Sequence, residues 1–210
     1  MKTQIKIFFL ILAVLTLNAC AYTEPNATFT VTSLAFGQGD IFISVSEQNK
    51  SMWIKGEGED LNAAITDIKT KLSKEPSFEH CGLVVLCGSV KGDEIENVLN
   101  LCGDIGIPLR TRLVFTDDIE MLFDKDAVFV GEEAISLLKH CYKEFGFGGN
   151  TALYEIKTAI LVNGGNFALP RIVAENNRVK LAGLCRFENK EPKEFLNLQQ
   201  SKTYAKENIK

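Results

Sequence analysis

The spacing of apolar and polar residues from position 29 onward predicts strands before any helix. The two kinds of residue alternate over 29–35, a Gly37-Gln38-Gly39-Asp40 turn follows, and 41–46 is again extended in character. Two such runs around a glycine-containing turn predict an N-terminal β-hairpin. A third short strand is expected over 51–55, before the turn Gly56-Glu57-Gly58.

A strand and helix alternation follows this hairpin. Asp60 is a suitable N-cap for a helix, and apolar residues recur behind it every three or four positions: Leu61, Ala64, Ile65, Ile68 and Leu72. The continuous apolar run 83–87 predicts a strand that is buried on both faces. A second helix over 93–102 and a strand over 110–115 complete a β-α-β-α-β unit, which is typical of an α/β fold.

The second half of the chain predicts more helices and another hairpin. Asp117 and Asp118 are expected to cap a short helix over 117–123, and longer helices are expected over 132–145 and 151–162. The final hairpin combines the extended runs 167–174 and 179–187. We therefore predict a mixed α/β (α+β) fold that ends in a C-terminal β-hairpin.

This pattern also predicts the organisation of the chain into segments. We expect one α/β domain over 29–116 and a second subdomain of helices plus hairpin over 117–198. The remaining residues, 199–210, are polar and are expected to form a flexible tail.

The first twenty residues indicate export and anchoring. Lys2 and Lys6 give a basic start, and the apolar run 7–17 has about eleven residues, whereas a membrane-spanning helix needs roughly twenty. These features predict a secretory signal peptide over 1–19. It ends in Leu17-Asn18-Ala19-Cys20, which resembles a bacterial lipobox, and the resemblance implies cleavage before Cys20 and diacylglycerol on its thiol.

Residues 20–28 would then be a lipid-anchored tether. An alternative stays open, because Ala19-Cys20-Ala21 also fits an A-x-A cleavage site. Cleavage by ordinary signal peptidase after Ala21 would release a soluble secreted protein.

The net charge of the chain narrows the classes of molecule that it could bind. The chain has 23 Lys and Arg residues against 27 carboxylates, and loss of Lys2 and Lys6 with the signal peptide leaves a net charge of about −6. An acidic chain without a block of Lys or Arg argues against nucleic acid as a partner and against electrostatic docking on anionic lipid. We therefore expect membrane contact to come from the acyl chains.

The residues that could carry chemistry do not form a recognisable catalytic pattern. Five cysteines remain besides Cys20, an odd number without a C-x-x-C spacing, and small core hydrophobes are their simplest interpretation: Cys81, Cys87, Cys102, Cys141 and Cys185. The two histidines lack the spacing of a zinc site. We predict no enzyme activity, no cofactor and no metal, and a secreted thiol enzyme that uses Cys81 or Cys141 is kept as an alternative.

Two glycine-rich segments precede helices. Gly56-Glu57-Gly58 lacks the Lys of a phosphate-binding loop and is followed by Glu59 and Asp60, which would repel phosphate. We interpret it as a turn into a helix. Gly146-Phe147-Gly148-Gly149 is interpreted as a hinge.

Two stretches of the chain carry distinctive motifs. The first runs from Lys55-Gly56-Glu57-Gly58 through the amphipathic helix to Phe78-Glu79-His80-Cys81 and the apolar strand 83–87. The second comprises Ala168-Leu169-Pro170-Arg171-Ile172 and the strand ending in Gly183-Leu184-Cys185-Arg186-Phe187. Both stretches resemble the Ger(x)C family, the lipoprotein subunits of spore germinant receptors, and Arg110 and Arg112 resemble the Arg-containing approach to the next family strand.

The resemblance covers the N-terminal and middle regions of that family. Family members place Trp-Asp after the lipid-bearing Cys, where this chain has Ala21-Tyr22, and they continue into a further C-terminal domain. The chain therefore looks like a short, divergent member. The resemblance implies a non-enzymatic role in spore germination, beside integral-membrane germinant-receptor subunits, on the outer face of the cell membrane or the spore inner membrane.

An alternative function from another class is a free-standing surface lipoprotein that binds a small solute. That hypothesis requires a pocket in which an apolar lining is combined with a few convergent polar groups.

Overall fold

The structure is a computed structural model that describes residues 28–37, 39–47, 50–122, 131–147, 151–176 and 178–208. The strands are β1 (Phe29–Phe36), β2 (Asp40–Glu47), β3 (Lys50–Glu57), β4 (Pro76–Ser77), β5 (Leu83–Cys87), β6 (Arg112–Thr116), β7 (Phe167–Glu175), β8 (Arg178–Glu188) and β9 (Glu191–Leu196). The helices are α1 (Leu61–Lys71), α2 (Asp93–Asp104), α3 (Gly131–Phe145), α4 (Leu153–Asn163) and α5 (Leu198–Asn208). A 3₁₀ turn covers Glu120–Leu122.

All nine strands belong to one mixed sheet. Its order is β3-β2-β1-β5-β6-β7-β8-β9, and β4 pairs with the start of β1. The four central strands β1, β5, β6 and β7 are parallel, while the outer strands are antiparallel to their neighbours. The predicted mixed α/β fold class is therefore confirmed, and the N-terminal hairpin extends to three strands.

Helices cover both faces of the sheet because its central strands are apolar on both faces. In β5, Val84 and Leu86 pack into the core under α1, α2 and α4, whereas Leu83, Val85 and Cys87 pack into a second core under α3. Successive side chains of a strand point to opposite faces, so a continuous apolar run needs cover on both sides. The interpretation of 83–87 as a doubly buried strand is thus confirmed.

Local signals also place the first helix correctly. The Asp60 carboxylate accepts a hydrogen bond from the Ala63 backbone N–H at 2.8 Å, as expected of an N-cap. The preceding glycines allow α1 to lie directly against β3. A Cβ atom on Gly56 would lie 2.2 Å from the carbonyl oxygen of Ala64, and one on Gly58 would lie 2.6 Å from the Cβ of Ala63.

The two aspartates after β6, Asp117 and Asp118, have different roles, although both were expected to cap a helix. Asp118 accepts a hydrogen bond from the Glu120 backbone N–H at 2.9 Å and so caps the 3₁₀ turn, which is shorter than the helix expected over 117–123. Asp117 instead forms an ion pair with Arg171 of β7. The guanidinium of Arg171 also lies 4.9 Å from the ring of Phe195 in β9.

Strand pairing between β6 and β7 crosses the expected boundary between residues 116 and 117. Phe115 of β6 is paired with Arg171 of β7, so residues 29–116 and 117–198 contribute strands to one sheet. The ring of Phe115 also contacts Phe187 with centroids 5.7 Å apart.

The structure of the C-terminal segment differs from the prediction of a flexible tail. Residues 199–210 were expected to form a flexible tail, but 198–208 form α5, whose Ser201 and Ala205 are buried. The signal was a capping box: Asn197 Oδ1 accepts from the Gln200 N–H, and Gln200 Oε1 accepts from the Asn197 N–H, both at 3.0 Å. Helix α5 covers a small core formed with Phe147, Leu184 and Leu196.

Strand β9 is the other element that was not expected. It can approach β8 because Gly183 has a φ of +134° and no side chain, and a Cβ there would lie 1.9 Å from the Leu196 carbonyl oxygen. No helix within the described residues is long and apolar enough to cross a membrane.

We expect Gly56→Ala to lower the free energy of unfolding by about 2 kcal/mol, because the new methyl group overlaps the α1 backbone and overpacking costs roughly 1–3 kcal/mol. Gly103→Ala is the matched control. Gly103 lies in α2, where the nearest atom to an added Cβ is Lys157 Nζ at 3.8 Å, so this change should raise stability by about 0.5–1 kcal/mol. Urea unfolding measures both, and equal effects of the two variants would contradict the close packing of β3 on α1.

Candidate functional site

The predicted lipid-bearing residue, Cys20, lies outside the described residues, as do the signal peptide over 1–19 and most of the tether. The structure does fix where the tether leads. Strand β1 begins at Phe29, nine residues after Cys20, so an anchor at Cys20 would enter the fold at the N-terminal end of a central strand.

The five remaining cysteines are buried and unpaired. Burial raises the pKa of Cys81 and of Cys185 to about 12, and it also raises the pKa of Cys141 and Cys102. A nucleophilic cysteine needs the opposite shift, because the thiolate is the reactive form. These positions therefore suit the interpretation of the cysteines as core hydrophobes.

The histidines do not activate these thiols. His80 is exposed in the turn before β5, while the Cys81 thiol points inward and donates to the Leu83 carbonyl oxygen at 3.4 Å. His140 lies on the exposed side of α3, with its Nε2 3.2 Å from Glu144 Oε1. Within the described ranges, no group of three or more His, Cys, Asp or Glu side chains could hold a metal ion.

A cleft of about 440 Å³ lies at the carboxyl edge of the central strands. Its walls are Gly37 and Gly39 after β1, the start of α1, and one side of α2. Clefts at the carboxyl ends of parallel strands are the common position for ligands in α/β sheets. We call this feature the acidic cleft.

Polar side chains line the rim of the acidic cleft, and apolar ones form its floor. Four carboxylates and three amides surround it: Glu59, Asp60, Glu94, Asp104, Asn62, Asn97 and Asn100. The lining residues from α2 stand at positions 94, 97, 98, 100, 101 and 104, which lie on one side of the helix because a turn takes 3.6 residues. Leu61, Val90, Val98 and Leu101 form the floor.

The acidic cleft can accept hydrogen bonds and attract a positive charge, but it offers no cationic side chain for a phosphate. The Asp60 carboxylate is only partly available to a ligand, because it already accepts a hydrogen bond from the backbone of α1 as its N-cap. The predicted turn at Gly56-Glu57-Gly58 is wrong, because Gly56 and Glu57 are the last residues of β3 and pair with β2. Sequence reasoning did not find the cleft, because its walls come from three separate segments.

An exposed apolar pair ends α4. Leu161 is 85% exposed and Val162 is 74% exposed, the highest values among the described large hydrophobic residues. Clustered exposed apolar side chains are typical of surfaces that contact another protein or a membrane.

Comparisons with known proteins give no family. The chain matches no protein-family model, and no curated protein matches it. Two solved structures match with 9% sequence identity: YeaZ from Pseudomonas aeruginosa, with a TM-score of 0.26, and an uncharacterized protein with similarity to peptidase YEAZ from Pseudomonas aeruginosa, with a TM-score of 0.27. Each match covers 79% of this chain, which spans 63% and 62% of those two structures.

The buried thiols generate a prediction about reactivity and pH. In a Cys20→Ala chain at pH 8, iodoacetamide should modify the five remaining cysteines about 100-fold more slowly in the native state than in denaturant, since reaction requires local opening. Mass spectrometry of tryptic peptides measures each site. One cysteine that reacts rapidly in the native protein would instead support the thiol-enzyme alternative.

The raised pKa values of the buried thiols also predict how the free energy of unfolding changes with pH. Unfolded thiols lose their protons above about pH 8.5, whereas folded Cys81 and Cys185 keep theirs until about pH 12. A raised pKa in the folded state means that stability falls as the pH rises through this window.

Proposed function

We propose that this protein is a lipid-anchored binding subunit of the Ger(x)C type, which acts by protein–protein contact in spore germination and not as an enzyme. The observation that carries the proposal is the lipobox-like Leu17-Asn18-Ala19-Cys20 at the end of a short apolar run that follows Lys2 and Lys6. The two acyl chains of diacylglycerol on Cys20 would hold the protein on the outer face of the cell membrane or the spore inner membrane.

The proposal depends on the resemblance to the Ger(x)C family, in which Gly56 and Gly58 form the G-x-G of the resembling stretch. In this fold both glycines permit the contact of β3 with α1, which is a structural role.

Two further features support binding in place of chemistry. The thiols of Cys81 and Cys141 have raised pKa values, which is unfavourable for nucleophilic attack. The exposed pair Leu161 and Val162 offers an apolar surface, and we propose that integral-membrane receptor subunits cover it.

Metabolic labelling with an alkyne fatty acid tests the anchor. We expect the wild-type protein to carry the label and to sediment with membranes, and Cys20→Ala to lose both properties, because only the thiol of Cys20 accepts the lipid. Cys141→Ala is the matched control and should keep the label. An unlabelled wild-type protein in the medium would refute the lipoprotein proposal and favour cleavage after Ala21.

The acidic cleft favours a second candidate, a surface lipoprotein that binds a small solute. Its carboxylates and amides over an apolar floor suit a solute that carries an amine. Such a solute would be attracted by the uncompensated negative charge of the rim.

Thermal melting tests this candidate. Amine-bearing solutes at about 100 times their dissociation constant should stabilise the protein by about 2.7 kcal/mol, and matched solutes without the amine should not. Asp104→Asn combined with Glu94→Gln should remove the effect, while Glu175→Gln, a carboxylate outside the cleft, should not. Absence of any shift across amines would argue against solute binding at the cleft.

A further inference from the structure

A basic groove of about 570 Å³ lies at the edge of the sheet opposite the acidic cleft. Four cationic and two aromatic side chains line it: Arg110, Arg112, Lys139, Lys143, Tyr142 and Tyr154. Ile135, Leu138 and Ala152 form its apolar floor. We call this feature the basic groove.

The fold assembles the basic groove from three separate segments of the chain, 110–112, 135–143 and 152–155. The Leu113 N–H donates to the Thr151 carbonyl oxygen at 2.7 Å, and the Tyr154 N–H donates to the Leu109 carbonyl oxygen at 3.1 Å. These bonds hold the start of α4 against the start of β6. The last turns of α3 supply the lysines on the other side.

Three cations of this groove have no carboxylate partner among the described residues: Arg110, Lys139 and Lys143. Several cations elsewhere are paired at 3.0 Å or less: Lys55, Lys69, Lys71, Lys180 and Lys190. Glu155 is the acidic residue of the lining. Its two oxygens accept from the Ala152 N–H at 2.8 Å and the Tyr154 hydroxyl at 3.1 Å.

The basic groove lies on the side of the protein where the tether enters. Ser33 of β1 is level with Leu83 of β5, which is level with Arg112 of β6. Phe29 therefore lies at the same edge as Arg110, about 10 Å away laterally, since neighbouring strands are about 4.8 Å apart. The nine residues 20–28 can span at most about 30 Å, so a lipid on Cys20 would keep this edge close to the bilayer.

The exposed side chains around the groove suit a membrane surface. Tyr142 is 56% exposed, Tyr154 is 51% exposed and Leu109 is 55% exposed. Tyrosine is favoured at the boundary between water and hydrocarbon, because its ring is apolar and its hydroxyl is polar.

We infer that the basic groove docks on anionic phospholipid headgroups and orients the protein on its membrane. The position of the bilayer in this inference rests on the proposed function, through the anchor at Cys20. It differs from the sequence expectation that the acidic chain would not dock electrostatically on anionic lipid, because the net charge of the chain does not describe the charge at this one edge. Clustered Lys and Arg near an anionic surface attract it by about 1 kcal/mol each.

Vesicle sedimentation tests the inference on a chain without lipid. The probe is the chain from residue 20 with Cys20→Ser, which keeps every described strand and helix. It should bind vesicles that contain 30 mol% phosphatidylglycerol in phosphatidylcholine, and pure phosphatidylcholine at least tenfold more weakly. Raising salt from 50 to 500 mM should abolish the difference, because salt screens exposed charges.

Charge-reversal variants identify the face that binds. Arg110→Glu, Lys139→Glu and Lys143→Glu together should weaken binding about 100-fold or more, which corresponds to the loss of three cations near the surface. The matched control reverses Lys91, Lys193 and Lys206, exposed cations elsewhere, and produces the same net charge. It should change binding less than threefold.

Two results would overturn the inference: no preference of the wild-type sequence for anionic vesicles, or equal losses in the two reversed variants. Circular dichroism melting checks folding, and the neutral set Arg110→Gln, Lys139→Gln and Lys143→Gln gives the same comparison with a smaller perturbation. The proposed function fails on a separate readout, because fatty-acid label on Cys20 is measured in cells and the vesicle assay uses no lipidated protein.

Discussion

The fold depends on covering both faces of its central parallel strands. Strand β5 is buried along its whole length, and its alternate side chains belong to two different cores. Such a strand is stable only when helices pack on both sides, because each exposed face would leave apolar surface in water. Helices α1, α2 and α4 cover one face and α3 covers the other, so the positions of all four follow from this one requirement.

That arrangement also separates the two ends of the sheet. Helices α1 and α2 flank the carboxyl ends of β1 and β5, where the acidic cleft opens. At the opposite edge, the last turns of α3 and the start of α4 flank the beginning of β6 and form the basic groove. A chain with a net charge of −4 therefore carries an acidic cleft and a basic groove at opposite edges of its sheet. The start of β1, to which the proposed tether leads, and the basic groove lie at the same end, which leaves the acidic cleft and the exposed end of α4 available to other molecules.

The glycines and cysteines show that residues which suggest ligand binding or reactivity in the sequence can serve packing in the fold. Gly56 and Gly58 resemble a ligand loop in spacing, but they serve a close contact between β3 and α1. The five cysteines could be mistaken for a reactive set, but all are buried, and burial raises the pKa of Cys81 and Cys185. In both cases the surrounding packing decides the role of the residues. Close packing leaves no room for a side chain at the two glycines, and burial makes a charged thiolate unfavourable at the cysteines.

Local patterns determined much of this protein from its sequence. The apolar run 83–87, the cap at Asp60 and the helical spacing of 132–145 each specify an element, because periodicity and capping act within a few residues. Capping also specified α5 through Asn197 and Gln200, although the polar composition of that segment concealed it. Only the tertiary structure decided that β9 joins the sheet, since its place depends on a close approach to Gly183. The acidic cleft and the basic groove were likewise decided by the fold, because their charges come from segments that meet only when the sheet has formed.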